Sequence, residues 1–171
     1  MRTFIFPLSF FVLSLITSVS FSQNKVTIPG NTGYAIPAED DEKTERFTPN
    51  KGLSNWTNVQ QSIQYFCIIK KAGTIDISIN IKSVSGTQLQ VSAAAKTFMI
   101  SVPATKTFKL IHVGKIETKD TGTLIITINC KKKNGNTIAD IQSLQLNCTV
   151  ADQVFFNSKE RRNAASVHLM Y

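Results

Sequence analysis

Between Gly73 and Lys82 the chain reads GTIDISINIK, and Ile75, Ile77, Ile79 and Ile81 alternate with Thr74, Asp76, Ser78, Asn80 and Lys82. Side chains on a strand point alternately to opposite faces, so this spacing predicts a β-strand with one dry face and one wet face. A row of isoleucines needs a second apolar layer to exclude water from it. Other alternating runs supply that layer. Ile63, Tyr65, Cys67 and Ile69 alternate with Gln64, Phe66, Ile68 and Lys70, and because both rows are largely apolar the run predicts a central strand covered on both faces. Lys71-Ala72-Gly73 turns it into the isoleucine strand. Leu89, Val91 and Ala93 alternate after Ser85-Gly86; Phe98, Ile100 and Val102 precede Pro103; Phe108, Leu110 and His112 precede Gly114. Leu124, Ile126, Ile128 and Cys130 follow Thr121-Gly122, and Leu144, Leu146, Cys148 and Val150 close the set. Short strands bounded by turn residues, with no sustained 3.6-residue period, predict an all-β sandwich. Asn134-Gly135, after Lys131-Lys132-Lys133, has the composition of a two-residue hairpin turn.

The two ends of the chain lie outside this pattern. Residues 24–58 are rich in Gly, Pro, Asn and charge, and read as loop with short strands, one of them within 33–38. Residues 1–22 have a basic start at Arg2, an apolar run from Phe4 to Val19, and Ser20 and Ser22 three and one residues before a cut. That is the pattern of a secretory signal peptide, with mature protein beginning near Gln23. No second apolar span follows, so the expectation is a secreted or periplasmic product that leaves the membrane on cleavage. The sandwich is assigned to 23–150 and a linker to 151–171. Within that last part Val167, Leu169 and Tyr171 alternate again, as the front of a truncated second domain or as a tail that docks on the sandwich.

A length of 171 residues fits one domain, expected to be a monomer, able to bury a core without metals or disulfides. The net charge of +8 is scattered and lacks interleaved aromatic residues, which excludes a nucleic-acid surface. Three cysteines, Cys67, Cys130 and Cys148, leave at least one unpaired in an oxidising compartment. A hairpin at Asn134-Gly135 would set Cys130 opposite the region of Ala139, with Cys148 well beyond it, so buried free thiols are preferred to a disulfide.

Catalytic chemistry finds little to use. The histidines are His112, inside a strand pattern, and His168, in the tail, and neither has partners for a triad or a metal set. The chain is therefore read as not an enzyme. Trp56, beside Asn55 in the loop-like run 53–58, has an amphipathic ring suited either to stacking on a sugar or to plugging one end of the sandwich. Tyr34 and Phe47 fit either role as well. The acidic cluster Glu39-Asp40-Asp41-Glu42 suits a calcium-binding loop or a solvated one.

The order of short motifs carries a resemblance. Ala38-Glu39-Asp40 follows a short strand, Asn55-Trp56 precedes Tyr65-Phe66, Lys71-Ala72-Gly73-Thr74 opens the next strand, and Ala139-Asp140-Ile141 lies near the last one. This resembles the galactose-binding-like jelly rolls of carbohydrate-binding modules. Residues 26–147 resemble more closely the bacterial domain of unknown function of family 5077, and residues 161–169 look like the opening of the family 3472 domain that follows it. The resemblance implies a jelly-roll β-sandwich that binds glycan or polysaccharide without catalysis, with Trp56, Asn55 and Tyr34 as ligand-binding candidates. It also implies a structural calcium ion with Glu39 and Asp140 as ligands. The alternative is a spacer domain without a ligand of its own, packed on a companion C-terminal domain. Such a spacer would expose a large apolar patch near the tail.

Overall fold

A computed structural model describes residues 24–38, 46–48, 51–148 and 154–156. Its strands are β1 (Asn24–Pro29), β2 (Tyr34–Ile36), β3 (Arg46–Thr48), β4 (Gly52–Trp56), β5 (Ser62–Ile69) and β6 (Gly73–Lys82), followed by β7 (Thr87–Ala93), β8 (Lys96–Val102), β9 (Lys109–Thr118), β10 (Gly122–Lys133), β11 (Ala139–Cys148) and β12 (Val154–Phe156). Among the described residues the one helical element is a single 3-10 turn, Gly30–Thr32. The signal sequence, the acidic cluster and the alternation of Val167, Leu169 and Tyr171 lie outside the described residues.

The strands form two six-stranded antiparallel sheets. Sheet A runs β3-β4-β11-β6-β9, with β1 pairing along β11 beyond β4; sheet B runs β12-β5-β10-β7-β8, with β2 pairing along β5 beyond β12. The isoleucine strand lies inside sheet A between β11 and β9, and Ile75, Ile77, Ile79 and Ile81 are fully buried. Each contributes roughly 1.5–3 kcal/mol of transfer free energy. Leu144, Leu146 and Cys148 of β11 extend that inner face, and Ile63, Tyr65, Leu89, Val91, Ile126 and Ile128 of sheet B complete the core. This is the β-sandwich that the alternation predicts, in the jelly-roll form that the resemblance implies.

Five local expectations change. Asn134-Gly135 does not close a hairpin: β5 and β7 occupy both edges of β10, so the chain crosses there to sheet A and enters β11 between β4 and β6. β5 is covered on one face only, and Phe66 and Ile68 are 39% and 38% exposed on the other. In β9, Leu110 and His112 point outward because they stand opposite Asn80 and Ser78 of β6, while Val113 and Ile116 are buried, three residues apart across the register shift beside Ile77 and Ser78. The run 52–56 is a strand, and Trp56 stands opposite Ala139 of β11. Sheet B also extends past residue 150, since β12 pairs with Cys67–Ile69 at its edge.

All three cysteines are free thiols, Cys67 and Cys148 buried and Cys130 partly so. Cys67 and Cys148 project inward from opposite sheets. Burial, with a smaller contribution from Cys148, pushes the Cys67 thiol up to about 12. Burial likewise raises the Tyr65 phenol, whose hydroxyl donates to the Gly30 carbonyl at 3.2 Å.

Candidate functional site

The residues singled out at the start of the chain separate into two places. Trp56 has no exposed surface, and its indole N–H donates to the Asn58 carbonyl at 3.1 Å. The stacking role expected for it is corrected: the ring closes the end of the core, because β4 pairing with β11 turns position 56 inward and leaves no face open to a sugar. Asn55 stands next to it with a left-handed φ of 59° and donates its backbone N–H to Asp140 Oδ1 at 3.0 Å. The other carboxylate oxygen, Oδ2, lies 3.1 Å from the Lys82 ammonium. Asp140 and Lys82 are direct cross-strand partners, and the ammonium also stands 4.9 Å from the centroid of the Phe108 ring.

Asn55, Asp140, Lys82 and Phe108 thus form one strip across β4, β11, β6 and the residue that precedes β9. Of the two residues expected to hold calcium, Glu39 lies outside the described residues. Asp140 has a partner on each carboxylate oxygen, the Asn55 N–H on Oδ1 and the Lys82 ammonium on Oδ2. Among the described residues no group of three or more His, Cys, Asp or Glu side chains comes together as a metal set.

Tyr34 sits on the other sheet. Its ring meets Phe66 edge-on, with centroids 5.4 Å apart and planes at 84°. The sheet register places Tyr34, Gln64, Thr127, Ser92 and Thr97 in one row across β2, β5, β10, β7 and β8. A parallel row is Ile36, Ser62, Asn129, Gln90 and Met99. These side chains form the outer face of sheet B, with Ser92 and Thr97 hydroxyls 3.1 Å apart. The amides of Gln64, Gln90 and Asn129 are not hydrogen-bonded to another described side chain. Phe66 and Ile125 face each other in the next row on the far side of Tyr34, and Ile125 is 43% exposed.

The two rows contain amides, hydroxyls, apolar groups and one phenol, and no residue ionised at neutral pH. Sequence reasoning missed the rows because alternation marks Gln64, Ser92 and Thr127 as outward without saying which strands bring them side by side. Its signal was present in Phe66 and Ile68, which read as a second buried face.

The outer face of sheet A differs in character. His112 Nε2 lies 2.7 Å from Asp76 Oδ1, and Lys115 approaches the second oxygen at 3.9 Å. The His112 side chain is 63% exposed. This open pair lacks the enclosure that general acid–base catalysis draws on.

The model of a family described as "Domain of unknown function (DUF5077)" matches residues 26–151. No curated protein matches the sequence. Among solved structures, the family 35 carbohydrate-binding module of Cellvibrio japonicus Abf62 is similar at 14% identity and a TM-score of 0.56, over 78% of this chain and 97% of that one. The GH26-CBM35 β-(1,4)-mannanase of Podospora anserina is similar at 16% identity and a TM-score of 0.57, over 72% of this chain. The match spans only 27% of the mannanase's length. The insecticidal crystal protein Cry2Aa is similar at 16% identity and a TM-score of 0.58, over 72% of this chain and 21% of its own. At these identities the likeness is one of fold, a jelly roll of the carbohydrate-binding-module kind.

Proposed function

The chain belongs to the DUF5077 family, and from its fold and the outer face of sheet B we propose that it is a non-catalytic carbohydrate-binding domain that takes an uncharged glycan on that face. The observation that carries this reading is the pair of uncharged rows that start at Tyr34 and Ile36, with the Phe66 ring packed against Tyr34 in the row alongside. A sugar ring presents C–H groups on its faces and hydroxyls around its rim. Half-exposed aromatic rings meet the first, and amides with free donors and acceptors meet the second. From β2 to β8 the rows cross four strand spacings of ~4.8 Å, about 19 Å, which suits an extended chain rather than a single sugar. Family 35 carbohydrate-binding modules with the same fold support the class of ligand. In this reading the domain works outside the cytoplasm, where the N-terminal 22 residues would direct it.

The spacer alternative has one observation in its favour. Phe66, Ile68 and Ile125 make an exposed apolar cluster on β5 and β10, beside β12, the last described strand. Affinity electrophoresis against a panel of neutral and acidic polysaccharides separates the two readings. Glycan binding predicts retardation by at least one neutral polysaccharide, lost in Gln64→Ala/Gln90→Ala and kept in Ile68→Ser. A domain that migrates freely through every gel is a spacer.

A further inference from the structure

We propose that the Lys82 ammonium supplies at Asp140 the positive charge that a structural divalent cation would supply, so that the sandwich needs no calcium at this position. Lys82 does not reach Asp140 by chance of a long side chain: the two residues stand opposite each other in the β6–β11 ladder. The register therefore fixes a positive charge beside the carboxylate wherever the sheet forms. The ammonium also lies over the Phe108 ring, 4.9 Å from its centroid, an arrangement that favours a cation over a neutral group.

The carboxylate also has a structural task that explains its position. Between Ala139 and Ile141 the pairing of β11 with β4 slips by a residue, so a regular ladder bond is missing. Asp140 Oδ1 accepts the Asn55 N–H at this slip and ties β4 to β11 in place of a backbone carbonyl. That leaves Oδ2 for a cation, and Lys82 has it at 3.1 Å. A calcium ion ~2.4 Å from Oδ2 would stand no farther than about 5.5 Å from the Lys82 nitrogen, inside a part of the sheet where both side chains are only a quarter exposed. The repulsion disfavours the ion, and the lysine is covalently present at every concentration of calcium.

The test is thermal unfolding of the full chain with millimolar calcium or with a chelator, alongside variants at the strip. The expected result is one Tm for the wild type in both media, a Tm lower by about 2–4 °C in Lys82→Met, and a Tm near wild type in Lys82→Arg. A rise in Tm with calcium that survives Asp140→Asn places the ion elsewhere and agrees with the assignment. A calcium-dependent rise that Asp140→Asn abolishes overturns it, and so does a Lys82→Met variant that melts like the wild type. If Lys82→Met does not fold, the calcium response of the wild type and of Lys82→Arg decides.

Discussion

Trp56 is the largest side chain buried in the sandwich, and its one polar atom is satisfied by the Asn58 carbonyl. Replacing it with alanine would open a cavity at the end of the core and remove one of the two donors to that carbonyl, which keeps the Gln61 N–H at 3.2 Å. Trp56→Ala is expected to lose about 3–5 kcal/mol, read as a lower denaturation midpoint with an unchanged slope. An indole in the run 53–58 suits a sugar platform and a core plug equally well by sequence. The pairing of Trp56 with Ala139, eighty-three positions away in the chain, decides between them, and no local pattern contains it. Cys67 gives a second prediction at this scale. Burial raises its thiol from 9.0 to about 12 in the fold, so the unfolded chain releases that proton first as pH climbs. The stability linked to the neutral thiol is complete below pH 9.0 and is lost as pH rises toward about 12. Tyr65 adds to the fall above its ordinary value of 10.0. Midpoints measured across this range should decline, with a shallower decline in Cys67→Ala; a flat profile would contradict the assignment.

At the scale of elements, alternation identified the long strands because each has one face against the core. Ile75 to Ile81, Leu89 to Ala93 and Leu144 to Cys148 are buried in the phase that the sequence displays. Partners were not legible. β5 and β6 are separated by three residues and lie in different sheets, as do β10 and β11, since a strand's pattern specifies its face and leaves its neighbours open. The phase of β9 was hidden by the register shift opposite β6, which spaces Val113 and Ile116 three apart. Gly52 marks another feature that depends on a distant element. It opens β4 at a φ of 73°, and an added Cβ would lie 2.2 Å from the Ile141 carbonyl oxygen. Gly122 opens β10 at a φ of 139° with nothing within 4 Å of such a Cβ. Gly122→Ala should therefore lose only the conformational term of roughly 1–2 kcal/mol, and Gly52→Ala distinctly more. Melting temperatures in the order wild type, Gly122→Ala, Gly52→Ala check this, and equal values for the two variants would show that the contact with Ile141 is readily relieved.

For the whole molecule, the two outer faces divide the surface chemistry. Sheet A carries Lys115, His112 and Asp76, while the Tyr34 and Ile36 rows of sheet B carry no group ionised at neutral pH. A net charge of +8 draws acidic polymers to the surface at large, and salt screens that attraction. Binding on sheet B should instead persist as ionic strength rises. In the proposed reading the glycan class rests on this contrast more than on any single residue, whereas Trp56, the most conspicuous ring in the sequence, is buried in the core. Isothermal titration of a neutral polysaccharide into wild type and into Tyr34→Ala/Phe66→Ala, at low and high salt, tests the assignment most directly. The account predicts salt-independent binding that weakens at least tenfold, about 1.4 kcal/mol, in the double variant while its circular dichroism stays that of the sandwich. Equal affinity in the two proteins, or binding that vanishes with salt alone, would contradict it.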